Sequence, residues 1–140
     1  MKKATRLIIE EDNNLIFIKR TKIIDGKLKV YYVLPGGHLD GDETWEQAGI
    51  REAKEELDVH IAIDELLTEE YSGDLDKLER FYFAHVVKGK IGNGNGEEFQ
   101  NMRIDSKYGL YEVVRLSKFE IGAYKILPIT IKDKLVAIYV

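Results

Sequence analysis

The segment Gly37-His38-Leu39-Asp40-Gly41-Asp42-Glu43-Thr44-Trp45-Glu46-Gln47-Ala48-Gly49-Ile50-Arg51-Glu52-Ala53-Lys54-Glu55-Glu56-Leu57-Asp58-Val59 decides the reading of this chain. From Thr44 to Leu57 it has a helical period, with Ile50, Ala53 and Leu57 at i, i+3 and i+7 on one face. Thr44 or Asp42 is placed to cap the start. With Ile50 at zero and 100° per residue, Ala53 and Leu57 fall at about 300° and 340°, and Glu52, Glu55 and Glu56 at about 200°, 140° and 240°. The expected helix therefore turns its carboxylates away from its core face. A like-charge pair at this spacing costs only about 0.2 to 0.5 kcal/mol on a solvated helix, so repulsion alone does not call for a cation.

Outward from the helix, short β-prone runs flank it. Thr5 to Ile9 and Leu15 to Lys19 are separated by the polar cluster Glu10 to Asn14, and read as a hairpin. Asp25-Gly26 turns the chain from Thr21 to Ile24 into Leu28 to Leu34, which Pro35-Gly36-Gly37 stops. Further strands are expected at Val59 to Glu70, Arg80 to Val87 and Leu110 to Arg115, with a glycine-rich loop at Gly89 to Gly96. Pro128 suits the first turn of a closing helix over Ile129 to Tyr139. Strands before and after one central helix predict a mixed sheet covered by helices, in a single domain over residues 1–140.

Composition narrows the function classes. A 140-residue chain can bury a sizeable core without staples. The absence of cysteine excludes a disulfide framework, a thiolate metal site and a cysteine nucleophile, and fits a reducing, cytoplasmic setting. The amino-terminal residues lack the apolar centre of a signal peptide, and the longest apolar run, Leu135 to Val140, is far short of the roughly 20 residues a bilayer span needs. A net charge of −4 argues against a stable nucleic-acid complex while leaving room for a small basic pocket for one nucleotide.

The spacing G-x5-E-x7-R-E-U-x-E-E-x-G-U, with U a bulky apolar residue, is met at Gly37, Glu43, Arg51, Glu52, Glu55, Glu56 and Val59. This closely resembles the signature box of the Nudix hydrolase superfamily. With 12 glycines, 6 arginines and 15 glutamates in the chain, the six fixed Gly, Glu and Arg positions would co-occur by chance with a probability on the order of 10⁻⁴. The chain departs at Asp58, where the box has its last glycine, and at the small Ala53. Asp tolerates a left-handed conformation better than most side-chain-bearing residues, so little functional damage is expected.

The resemblance implies an α/β (α+β) Nudix fold, an α/β/α sandwich around a mixed sheet, and hydrolysis of a phosphoanhydride in a nucleoside diphosphate linked to another group. It implies Mg²⁺ or Mn²⁺ as cofactor and a small-molecule nucleotide as partner. Glu55 and Glu56 are the main metal ligands in this reading, Glu52 a further ligand or the residue that orients and deprotonates water, and Gly36 a backbone ligand through its carbonyl. Arg51 holds a box carboxylate, Glu43, and Gly37 is a conformational requirement. Glu97 or Glu98 is a candidate extra ligand or base. Lys19 and Arg20 are candidate phosphate contacts, Tyr32 and Phe83 candidate base contacts, and His38 is placed within reach of a phosphate.

Subclass markers are negative. A proline roughly 15 residues beyond the box often marks ADP-ribose hydrolases, and the only prolines here are Pro35 and Pro128. The markers of coenzyme A and dinucleoside polyphosphate hydrolases are also missing. Elimination leaves a (deoxy)nucleoside triphosphate diphosphatase of housecleaning type. The alternatives are a nucleotide-sugar, ADP-ribose or dinucleoside polyphosphate hydrolase and a noncatalytic nucleotide sensor. Many relatives dimerise, which leaves a homodimer open.

Overall fold

Along Ala4-Thr5-Arg6-Leu7-Ile8-Ile9 every residue is buried except the half-buried Arg6, the pattern of a strand with covered faces and neighbours on both sides. The computed structural model, which describes residues 1–92 and 108–140, places this run in the strand β1 (Lys2–Glu11). The other elements are β2 (Asn14–Ile24), β3 (Lys27–Val33), β4 (Gly36–His38), α1 (Trp45–Leu57), β5 (His60–Ser72), β6 (Lys77–Lys88), β7 (Leu110–Ser117), a 3-10 turn (Ile121–Ala123) and α2 (Ile129–Tyr139). Among them is no helix long and apolar enough to cross a membrane. The described chain divides into two compact units. One comprises residues 1–9 and 34–92, the other residues 10–33 and 108–140.

In the first unit β1 pairs in parallel with β6 and antiparallel with β4, and β5 pairs antiparallel with β6, giving the order β4-β1-β6-β5. The sheet is thus mixed, as expected. The expected hairpin forms but is short: β1 and β2 pair antiparallel at Glu10–Leu15 and Glu11–Asn14, while Thr5 to Ile9 pair with β6 and β4. Pairing partners are a long-range choice, and β1's continuous apolar run suits the centre of a sheet better than one side of a hairpin. Pro35-Gly36-Gly37 does not simply stop a strand either, because Gly36–His38 forms β4 along β1.

The phase of α1 also differs from the periodicity reading. Its buried residues are Ala48, Gly49, Glu52, Ala53, Glu56 and Leu57, while Ile50 is 40% exposed. The cause is size, since the helix seats its smallest residues against the sheet. A Cβ on Gly49 would lie 3.0 Å from Thr5 Cγ2 and 3.2 Å from Leu7 Cδ2, so only glycine allows that approach without adjustment. Rotating the contact face onto Ala48, Gly49 and Ala53 carries Glu52 and Glu56 inward with it.

The helix ends are set locally. Thr44 caps the amino terminus in a reciprocal box, its hydroxyl accepting from Gln47 N at 3.1 Å while Gln47 Oε1 accepts from Thr44 N at 2.9 Å. Asp58 ends the helix at φ 57° and ψ 37°, the left-handed conformation expected for the position where the box has glycine.

The second unit is antiparallel, with β2 between β3 and β7 and joined at its start to the last residues of β1. Asp12 and Asn13, both at positive φ, make the tight turn between β1 and β2. Ile121, Ile126, Ile131 and Leu135 are buried in this unit, and Pro128 sits at the N-cap of α2.

Removing the capping hydroxyl with Thr44→Ala should lower stability by about 1 kcal/mol, whereas Asp58→Gly should leave it equal or raise it by up to about 1 kcal/mol. Urea denaturation of the two variants beside the parent checks the pair.

Candidate functional site

The site is built where α1 faces β4 within the first unit. Glu52 and Glu56 are only 6% and 4% exposed, unusual for ionisable side chains. Glu56 Oε1 accepts a hydrogen bond from the Gly36 backbone N–H at 2.6 Å. The Glu52 carboxylate lies against Gly37, where an added Cβ would overlap Glu52 Oε1 and stand 2.6 Å from Cδ. Gly37 is therefore required for close approach and not, as the sequence suggested, for its backbone conformation. That second role belongs to Gly36, at φ 140°, where any Cβ would collide with the carbonyl oxygen of Thr5.

Arg51 organises the acidic groups. Its Nε and Nη2 donate to the two Glu43 oxygens at 2.7 and 3.1 Å, a bidentate pair. Its Nη1 donates to Glu52 Oε1 at 3.0 Å and Glu55 Oε2 at 3.1 Å, and Nη2 also donates to the His38 carbonyl at 2.9 Å. The expected Arg51–Glu43 pairing is thus present, and the same guanidinium reaches two of the proposed metal ligands. The hydrogen bond from Arg51 holds the Glu43 carboxyl below its ordinary value of 4.5, and Glu43 in turn raises Arg51 above its usual range. Loss of solvation, with Arg6, Lys77 and Lys2 nearby, pushes the His38 imidazole below its ordinary value.

Arg6 is a contributor that sequence reasoning missed. It donates from Nη1 to the Gly36 carbonyl at 3.1 Å and from Nε to Glu79 at 3.0 Å. Gly36 is therefore held at both ends, its N–H by Glu56 and its carbonyl by Arg6. The signal in the sequence was an arginine beside the apolar run Leu7-Ile8-Ile9. On the helix's first turn, Tyr82 donates to Glu46 at 2.9 Å, Thr5 donates to the Trp45 carbonyl at 2.7 Å, and the Arg80 guanidinium lies 4.5 Å from the Trp45 ring centroid. These contacts fix α1 against the sheet that carries β4.

The donor set suits a hard divalent cation. Glu52 and Glu56 bring carboxylate oxygens into a desolvated position one turn apart, Glu55 adds a third that is 42% exposed, and the Gly36 carbonyl retains a second acceptor position beside Arg6. Among the described residues no three acidic or histidine side chains already form a metal-sized cluster. Mg²⁺ does not require one, because it keeps several waters and uses one or two carboxylates plus substrate phosphates in place of an all-protein cage.

The remaining expected contacts are spread over the chain. Phe83 is half-buried in β6 of the first unit. Lys19, Arg20 and Tyr32 belong to the second unit. There the Arg20 guanidinium stacks 3.9 Å from the Tyr111 centroid and donates to the Tyr108 carbonyl at 2.8 Å. Tyr32 packs edge-on against Tyr124 at 5.3 Å, and Lys19 sits across from Tyr32 on one side and Glu112 on the other. Glu97 and Glu98, with residues 93–96 of the expected loop, lie outside the described residues.

Two outcomes follow from this geometry. Gly37→Ala should destabilise the chain by about 1 to 3 kcal/mol through overlap with Glu52, and by much less in a Glu52→Ala background; a double-mutant cycle measured by denaturation reads the coupling. Because the Glu43 carboxyl is depressed in the folded state, its pairing stabilises fully above the unfolded value of 4.5 and is lost as pH falls through the folded one. The stability gap between the parent and Arg51→Met should therefore be largest near about pH 6 to 7 and narrow progressively as pH falls below about 4, in urea titrations across that range.

Comparisons with known proteins bear on this site. A family model described as the NUDIX domain matches residues 1–128. An ADP-ribose pyrophosphatase of Methanocaldococcus jannaschii is 39% identical over 92 residues, which are 63% of this chain and 53% of the relative. The match thus spans about half of that protein's length. Among solved structures, the E. coli ORF135 protein superposes with a TM-score of 0.69 at 20% identity, over 99% of this chain and 90% of that one. A MutT NUDIX hydrolase from Burkholderia pseudomallei does so with a TM-score of 0.68 at 20% identity, over 96% and 97%. The glutamates buried against Gly36 and Gly37 are those of the signature spacing, and with a family match over nearly the whole length, this chain belongs to the Nudix hydrolase family.

Proposed function

We propose that this protein is a Mg²⁺- or Mn²⁺-dependent hydrolase that splits the phosphoanhydride of a nucleoside diphosphate joined to a sugar, with ADP-ribose as the type of substrate. The observation that carries the chemistry is the burial of Glu52 and Glu56 on adjacent turns against the glycine pair of β4. The substrate class is supported by the 39% identity to an ADP-ribose pyrophosphatase.

Glu55, Glu56 and the Gly36 carbonyl hold the cation in this reading. Such a cation, when bound, supplies positive charge for the pyrophosphate and makes a coordinated water more acidic. The chain's own part is positional. The Gly36 N–H fixes the Glu56 carboxylate against the glycine pair. Arg51 draws Glu52 and Glu55 toward Glu43, so the carboxylates stay aligned without substrate. Glu52, with one oxygen on Arg51, is the group that orients the attacking water and takes its proton.

A second reading, hydrolysis of (deoxy)nucleoside triphosphates between the α and β phosphates, is favoured by one observation: the chain has no proline near the position that often marks ADP-ribose hydrolases.

A product-resolved screen over ADP-ribose, other nucleotide sugars, nucleoside triphosphates including oxidised ones, and dinucleoside polyphosphates, with metal and with chelator, tests the proposal. AMP and ribose 5-phosphate from ADP-ribose are the expected products, whereas pyrophosphate from a triphosphate would favour the second reading. Glu56→Gln keeps the acceptor for Gly36 N–H, so it should fold normally and lose activity by two orders of magnitude or more, about 3 kcal/mol of barrier. Metal-independent turnover, or full activity in Glu56→Gln, would sink the assignment.

A further inference from the structure

A cleft of about 500 Å³ opens beside the glutamate site within the first unit, lined by residues that include Lys2, Lys3, His38, Leu39, Gly41 and Glu43. Its charge is opposite to that of the chain as a whole. Lys2 and Lys3 are exposed, and among the described residues neither has an acidic partner within ion-pair distance. Lys3 lies 5.9 Å from the Trp45 ring centroid, a contact that leaves its charge in place. The other nearby cations, Arg6 and Lys77, are taken up by Glu79 at 3.0 and 3.6 Å. Glu43 carries the one carboxylate side chain of the lining, and the bidentate bond from Arg51 offsets its charge. Lys2 and Lys3, which have no carboxylate partner among the described residues, and His38 therefore line a cleft whose one carboxylate side chain is held by Arg51.

We propose that this cleft is a binding site for the phosphate group of a small ligand, separate from the carboxylates that hold the cation. Lysine ammonium groups recognise phosphate as point charges, with no need for the planar fork that a carboxylate partner favours. The volume accommodates a phosphate with an attached group. A ligand here would also touch the clamp of the neighbouring site, since Glu43 lines the cleft and the His38 carbonyl accepts from Arg51. The ligand's source is either a phosphate carried on the substrate or free phosphate in solution.

The test begins without metal and without turnover, so its failure is distinct from failure of the hydrolase reading. The full chain is titrated with inorganic phosphate in chelator and followed by amide chemical shifts, beside a Lys2→Gln/Lys3→Gln double variant and a Lys134→Gln control whose charge lies on α2. Saturable shifts at Leu39 and Gly41 should appear in the parent and the control, with affinity at least about fivefold weaker in the double variant and the remaining spectrum unchanged. No shifts at these amides, or equal affinity in the double variant, would overturn the site. With metal present, a raised KM at constant kcat in the double variant points to a substrate-borne phosphate. Relief of inhibition by added phosphate at unchanged KM points to free phosphate.

Discussion

The close seating of α1 on β4 is the constraint on which the site depends. Two carboxylates can be brought next to a backbone edge only if that edge has no side chains, and Gly36-Gly37 supplies such an edge. Burial there calls for hydrogen-bond donors, and the Gly36 N–H and Arg51 each hold one oxygen, of Glu56 and of Glu52. The helix in turn reaches that depth because Ala48, Gly49 and Ala53 remove bulk from its contact face. Each part is small, and each loses its purpose without the others.

Electrostatics gives the same region its internal logic. Burying like charges one turn apart is costly in a medium of low dielectric unless hydrogen bonds or opposite charges compensate. Arg51 spreads one guanidinium over Glu43, Glu52 and Glu55, with Asp40 at 3.5 Å. One cation against four carboxylates leaves an excess of negative charge facing the glycine edge. Such an excess suits a hard divalent cation.

Much of this was legible in the sequence because it is local. The cap at Thr44, the left-handed Asp58, the extent of α1 and the pairing of Arg51 with Glu43 depend on residues within a few turns of one another. The box spacing likewise carries its own register. What escaped was decided at long range. Ile50 fits an apolar stripe, yet it lies 40% exposed because the sheet selected the helix's small residues over its large one. β1 contains a good hairpin strand, yet its buried run is claimed by β4 and β6. Arg6 carries no spacing signal, and only the pairing of β1 with β4 lets it brace the Gly36 carbonyl.

Substrate identity is less legible for a related reason. The box residues are constrained by one another: Gly37 by Glu52, Glu56 by Gly36, Glu43 by Arg51. A change at any of them disturbs a packed or hydrogen-bonded neighbour, which is why the signature spacing is legible in the sequence. Residues that contact the rest of a substrate carry no such mutual requirement. Lys2 and Lys3 stand at the start of β1 with no spacing signal, and only folding places them beside His38 and Glu43. The loop from His38 to Glu43 is common to both settings. On one side its His38 carbonyl and Glu43 carboxylate receive Arg51, and on the other its side chains border a cleft of opposite charge. On the proposed reading, specificity can change by altering exposed side chains around that loop, while the glutamates and glycines assigned to the chemistry stay fixed by the packing between them.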